Sequence, residues 1–133
     1  VTHMNHMFSG MSNLTTINLS NFDTSKVTDM SAMFYGMSSL TTLDLSNFDT
    51  SKVTTMYSMF YLDEIPKDKL ATIYVNNDFN TTNLTYSFEM FRNRSKLRGG
   101  NGSYLANPST ADKTWLRIDD PAHGRPGYFT RKP

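Results

Sequence analysis

Apolar residues recur along this chain at a fixed interval. Val27, Met30, Met33, Phe34 and Met37 stand at offsets 0, 3, 6, 7 and 10, and the same row opens at Val1 and Val53, 26 residues to either side. Such offsets predict a helical turn or two, with Gly36 helping the turn to stop. A different pattern precedes each block. In Thr42-Leu-Asp-Leu-Ser46 apolar and polar residues alternate, which predicts a short strand with Leu43 and Leu45 on one side and Thr42, Asp44 and Ser46 on the other. The following Asn47 to Ser51 is rich in side chains that bond their own backbone, and predicts a turn with Phe48 dropped inward as a plug.

The whole unit repeats. Leu14-Thr-Thr-Ile-Asn-Leu-Ser-Asn-Phe-Asp-Thr-Ser-Lys26 returns almost letter for letter from Leu40 to Lys52, and weaker echoes follow at 70–75 and 84–91, with extra residues inserted around Asp63–Lys69. A fixed period of this length marks a stacked array in which no unit buries its apolar face alone. The expected fold is therefore a β-rich α/β repeat solenoid, a leucine-rich-repeat-like right-handed superhelix. Each 26-residue coil would carry one or two short strands and a helical turn. Coils are placed at about 1–26, 27–52, 53–83 and 84–97, a C-terminal cap at 98–130, and the start of a linker at 131–133. Stacking would set Asn21 over Asn47 and Asp23 over Asp49, with the N–H groups of Thr24-Ser25 and Thr50-Ser51 as donors to the carboxylates. Nine methionines occupy mostly equivalent positions, as core filler along one inward row.

Leu-x-x-Leu-Asp-Leu-Ser-Asn-Phe-Asp-Thr-Ser-x-Val-Thr-x-Met-x-x-Met-Phe resembles the BspA-like leucine-rich repeats of bacterial surface proteins, closest to those of lactobacilli and related Gram-positive bacteria, with cousins in mycoplasmas. The likeness is strong over 1–62 and loose over 70–97. It departs from the commonest leucine-rich consensus in placing Phe22 and Phe48 where Asn or Cys usually stands. The tail, with Gly99-Gly-Asn-Gly-Ser103, Trp115-Leu-Arg-Ile-Asp119 and Pro126-Gly-Tyr-Phe-Thr130, is similar to the segment that closes such arrays. The resemblance implies an exported, wall-attached protein that adheres to a host surface or matrix protein, to mucin or to an acidic glycan.

Composition trims the choices. A formal net charge of +1 gives no global field for nucleic acid or membrane, and no apolar run approaches the roughly 20 residues of a membrane span. Residues 1–61 carry two lysines against four aspartates, so the positive character belongs to the second half. The absence of cysteine removes disulfides, thiolate metal sites and a cysteine nucleophile from this segment. A start in mid-repeat suggests a piece of a longer protein. His3 and His6 alone make a poor metal site, and Asp119-Asp120 with His123 reads better as a turn than as an acid/base group. No catalytic residue, metal or cofactor is expected, and the chain is read as a monomer and not an enzyme.

Two surfaces remain. One is the outward strand row of Thr16 and Asn18, Thr42 and Asp44, Thr72 and Tyr74, where Tyr74 adds an aromatic contact. The other is Arg92-x-Arg94-x-Lys96-x-Arg98, which in an extended chain would project four cations to one side, toward an acidic glycan. The expected function is a non-catalytic adhesion module. The alternatives are a spacer that projects another domain from the cell wall, and a carbohydrate-binding accessory module of a larger surface enzyme.

Overall fold

The structure is a computed structural model and describes residues 2–63 and 68–133. The expected insertion around Asp63–Lys69 falls mainly outside the described residues.

Regular structure is sparse. Among the described residues there are three short strands, β1 (Thr42–Asp44), β2 (Thr72–Val75) and β3 (Phe129–Arg131), three single turns of 3₁₀ helix at 108–110, 113–115 and 121–123, and no α-helix. The strands form one small open sheet in the order β1-β2-β3, parallel throughout. This corrects the sequence reading: a solenoid built as a right-handed leucine-rich-repeat-like superhelix, with strands and a helical turn in every coil, is not what the chain forms. The Thr16–Ser20 segment, alike in sequence to Thr42–Ser46, is not a strand at all.

The missing helix has a clear cause. An α-helix needs each N–H to reach the carbonyl four residues back. Here the N–H groups of Met30, Ala32, Phe34 and Gly36 donate instead to the carbonyls of Thr55, Tyr57, Met59 and Tyr61 in the next repeat, at 3.0, 3.0, 2.9 and 2.8 Å. Those between, on Met33, Tyr35 and Met37, donate three residues back at 3.2–3.4 Å, to Met30, Ala32 and Phe34. The backbone alternates between its own turn and its neighbour. That alternation requires left-handed residues, at Ala32 (φ 52°) and Gly36 (φ 73°), and it recurs at His6, Ser58 and Glu89. Offsets of 0, 3, 6, 7 and 10 thus turn the same side chains inward without a helix.

The core follows from these turns. Val27, Met30, Met33, Phe34 and Met37 are fully buried, and seven of the nine methionines lie inside, Met7 and Met11 being the exceptions. Phe8, Phe34, Phe60 and Phe91 stack with near-parallel rings at 5.8, 5.7 and 5.1 Å, and Tyr128 continues the row 4.8 Å beyond Phe91. Phe48 and Phe22 are only partly buried against this core.

The tail closes back on the sheet through Asp119. Its buried carboxylate accepts from the N–H groups of Asn101, Ser103 and Gly127 at 2.9, 3.0 and 3.2 Å. Backbones approach so closely here that a Cβ on Gly127 would lie 2.2 Å from the Arg117 carbonyl oxygen. β3 is thereby delivered alongside β2, with Phe129 opposite Ile73 and Thr130 opposite Tyr74.

Candidate functional site

The sheet has a dry and a wet face because a strand alternates its side chains. Leu43, Ile73 and Phe129 share the buried side, and Asp44, Tyr74 and Thr130 lie in register on the other. Thr42 pairs with Thr72 beside them. Four of the six residues expected on the outward row therefore sit together. Thr16 and Asn18 are exposed but belong to the non-strand segment, where the Asn18 carboxamide oxygen accepts from the N–H and hydroxyl of Ser20 at 3.0 and 2.7 Å.

Lys132 gives this face its chemistry, and it was invisible in the repeat pattern. Its N–H donates to the Val75 carbonyl at 2.9 Å, which fixes the backbone beyond β3. Its Nζ then reaches Asp44 Oδ2 at 2.6 Å. Partial burial alone would raise the Asp44 carboxyl; hydrogen bonds from Lys132 and Ser46 outweigh it and hold the group below the ordinary carboxylate range. Between β1 and the Ile17–Ser20 segment this pair borders a cavity of about 180 Å³, lined also by Asn18, Ser46 and Asn47. Both charge signs, a carboxamide and hydroxyls converge there, with Asn18 and Asp44 on opposite walls.

The four alternating cations are not brought together. Arg94 is 1% exposed and spends its donors inside: Nε on the Phe60 carbonyl at 2.6 Å, one terminal nitrogen on the Met37 carbonyl at 3.1 Å, the other on Asp68 at 3.2 Å. Burial pushes its pKa down and the Asp68 charge works against that. Arg92 pairs with Glu89 at 3.0 Å. Arg98 lies 3.9 Å over the ring of Tyr104, and Lys96 is exposed. The chain here turns rather than extends, with Asn93 left-handed at φ 65°, so alternate residues do not share a side.

Sequence reasoning also passed over three exposed rings, on Tyr57, Tyr86 and Phe88, the last two neighbours. The signal was present, since these positions are polar in earlier repeats. Elsewhere His123 Nδ1 lies 2.9 Å from both Asp120 oxygens on the open surface, and that bond raises the histidine pKa. No helix is long and apolar enough to cross a membrane among the described residues.

A family model described as "Mycoplasma protein of unknown function, DUF285" matches residues 2–114. No curated protein and no solved structure matches the chain.

Proposed function

The chain belongs to the family described as Mycoplasma protein of unknown function, DUF285, and from that premise we propose a non-catalytic adhesion module, displayed outside the cell, that holds a host surface protein, matrix protein or mucin against the wet face of its sheet. The resemblance to BspA-like surface repeats supports the location and the adhesive role. The observation that carries the reading is the cavity beside β1, where the Asp44–Lys132 pair is held by backbone on both sides. Paired groups of opposite sign on rigid strands offer a polar ligand both a donor and an acceptor at fixed positions. The alternating cations carry no part of the proposal, because Arg94 is consumed in the core and Arg92 by Glu89.

The test is binding of the purified chain to immobilised mucin, fibronectin, fibrinogen and collagen at physiological salt. Saturable binding to one of them is expected, weakened about tenfold or more by Asp44→Ala and by Lys132→Ala, since each removes a hydrogen bond to a charged group. Silence across the panel would displace this reading in favour of a spacer, and wild-type binding by both variants would move the adhesive site off the Asp44–Lys132 face.

A further inference from the structure

The repeats act as controls on one another. Parallel bridges align His3, Asp29, Thr55 and Tyr86, and the carbonyls of Ser31, Tyr57 and Phe88 each accept from the preceding repeat at 2.9–3.0 Å, so these residues occupy one structural position in successive units. The first units fill these positions with His3, Asn5, Asp29 and Ser31, the last two with Thr55, Tyr57, Tyr86 and Phe88. One backbone accepts polar side chains there, so folding does not demand the rings. They stay in water all the same, 45%, 58% and 68% exposed, with Tyr86 and Phe88 centred 6.4 Å apart. Scattered single apolar residues on a surface are ordinary, but two neighbouring rings, with a third at the equivalent position of the preceding repeat on the same hydrogen-bonded frame, mark an interaction site.

The surroundings narrow the partner. Beside Phe88 lies a cleft of about 530 Å³, between Ser87-Phe88-Glu89 and Ser109, Ala111 and Asp112 of the tail; small-molecule sites run roughly 300–1,000 Å³. Glu89 gives one oxygen to Arg92, and Asp112 gives one to Thr114. Among the described residues Glu89 Oε2 and Asp112 Oδ2 accept no hydrogen bond. A cleft with the Phe88 ring on one wall and the carboxylates of Glu89 and Asp112 at its rim offers acceptors, and so does not favour sulfated or sialylated chains. It suits a molecule with an apolar C–H face and many hydroxyl donors. We infer that Tyr57, Tyr86 and Phe88 form an aromatic ledge that binds a neutral hexopyranosyl glycan, the sugar's C–H face lying on the rings and its hydroxyls donating to Glu89 and Asp112.

This ledge is separate from the Asp44–Lys132 face, and the experiment keeps the two apart. The purified chain is run in native gels containing a soluble neutral glucan, galactan or mannan, each beside a sulfated counterpart. The control is a triple variant, Tyr57→Ser, Tyr86→Thr and Phe88→Ser, which takes its side chains from Ser31 and Thr55. At least one neutral polysaccharide should retard the wild type, at low and high salt alike. The triple variant should bind about tenfold or more weakly, melt at the wild-type temperature, and keep any mucin or matrix binding of the sheet face. Asp44→Ala should leave the retardation unchanged. Absence of retardation by every neutral polysaccharide, equal retardation of the triple variant, or retardation only by sulfated polymers would overturn the inference. So would a dimer in sedimentation that the triple variant abolishes, because the rings would then be covered by a second copy.

Discussion

At the scale of single residues, Arg94 and Asp68 form an ion pair in which both side chains are buried among the described residues. Asp68 is 0% exposed and accepts from Arg94, from the N–H of Lys96 at 2.9 Å and from that of Leu70 at 3.3 Å. Through the Met37 and Phe60 carbonyls, Arg94 also ties its own segment to two earlier repeats. Arg94→Ala strands a buried carboxylate and two carbonyls, at a cost of about 3–5 kcal/mol in a urea unfolding curve. Arg94→Met combined with Asp68→Asn should recover a good part of that loss, since replacing both charges removes the stranded one. A single variant no less stable than the double would refute the pair's role. Spacing alone could not have shown this. Alternate residues share a side only in an extended chain, and the left-handed Asn93 breaks the extension between Arg92 and Arg94. By contrast, the capping of Asp23 and Asp49 by the N–H groups of Ser25 and Ser51, at 3.0 and 2.9 Å, was legible, because it needs only a side chain and its own backbone two residues on.

At the scale of elements, the four-phenylalanine stack separates residues that the repeat made look equal. Phe60 is 0% exposed between Phe34 and Phe91, whereas Phe48 is only partly buried at the edge of the core. Phe60→Ala should therefore cost about 3–5 kcal/mol, the range for a filled aromatic site. Phe48→Ala should cost clearly less, not the full value an inward plug would imply. Equal losses in a thermal melt would restore Phe48 to the centre of the core. Which side chains turn inward was readable from periodicity: Val27, Met30, Met33, Phe34 and Met37 are all buried. The element that turns them was not. A period of three to four describes a helix and equally a turn whose alternate N–H groups leave for the next repeat, and only the partner carbonyls at Thr55, Tyr57, Met59 and Tyr61 decide between them. The strand at Thr42 was legible from its alternation, but the sheet's third strand came from Phe129–Arg131, whose pairing with β2 is set by the distant Asp119 cradle.

For the whole molecule, four aspartates set the response to acid, and the sign follows from what holds them. Hydrogen bonds from Ser25 and Ser51 lower the Asp23 and Asp49 carboxyls below their ordinary 3.8. At Asp119 burial would raise the carboxyl, and the bonds from Ser103, Asn101 and Gly127 outweigh it; Asp44 is lowered in the same contested way by Lys132 and Ser46. A folded pKa below the unfolded one means that the unfolded chain takes up protons first as pH falls. The stability these groups contribute is complete above their ordinary 3.8 and drains away as pH drops through the lower folded values. His123 runs the other way: raised above 6.5 by Asp120, its small surface contribution is complete below 6.5 and fades as pH rises through the folded value. Tyr35, pushed to about 12 by its bond to Asp63, holds its contribution below 10 and loses it only as pH climbs toward 12. Urea midpoints at constant ionic strength should thus change little between about pH 4.5 and 6, and fall toward about pH 3. Asp119→Asn separates the cradle from the surface turns. It cannot ionise, so the variant should be less stable at neutral pH and lose part of the acid slope, because the three N–H groups that favour a carboxylate no longer gain from its charge. An acid limb of undiminished slope in Asp119→Asn would show that the tail's anchor takes no part in the titration, and would leave Asp23, Asp44 and Asp49 to account for all of it.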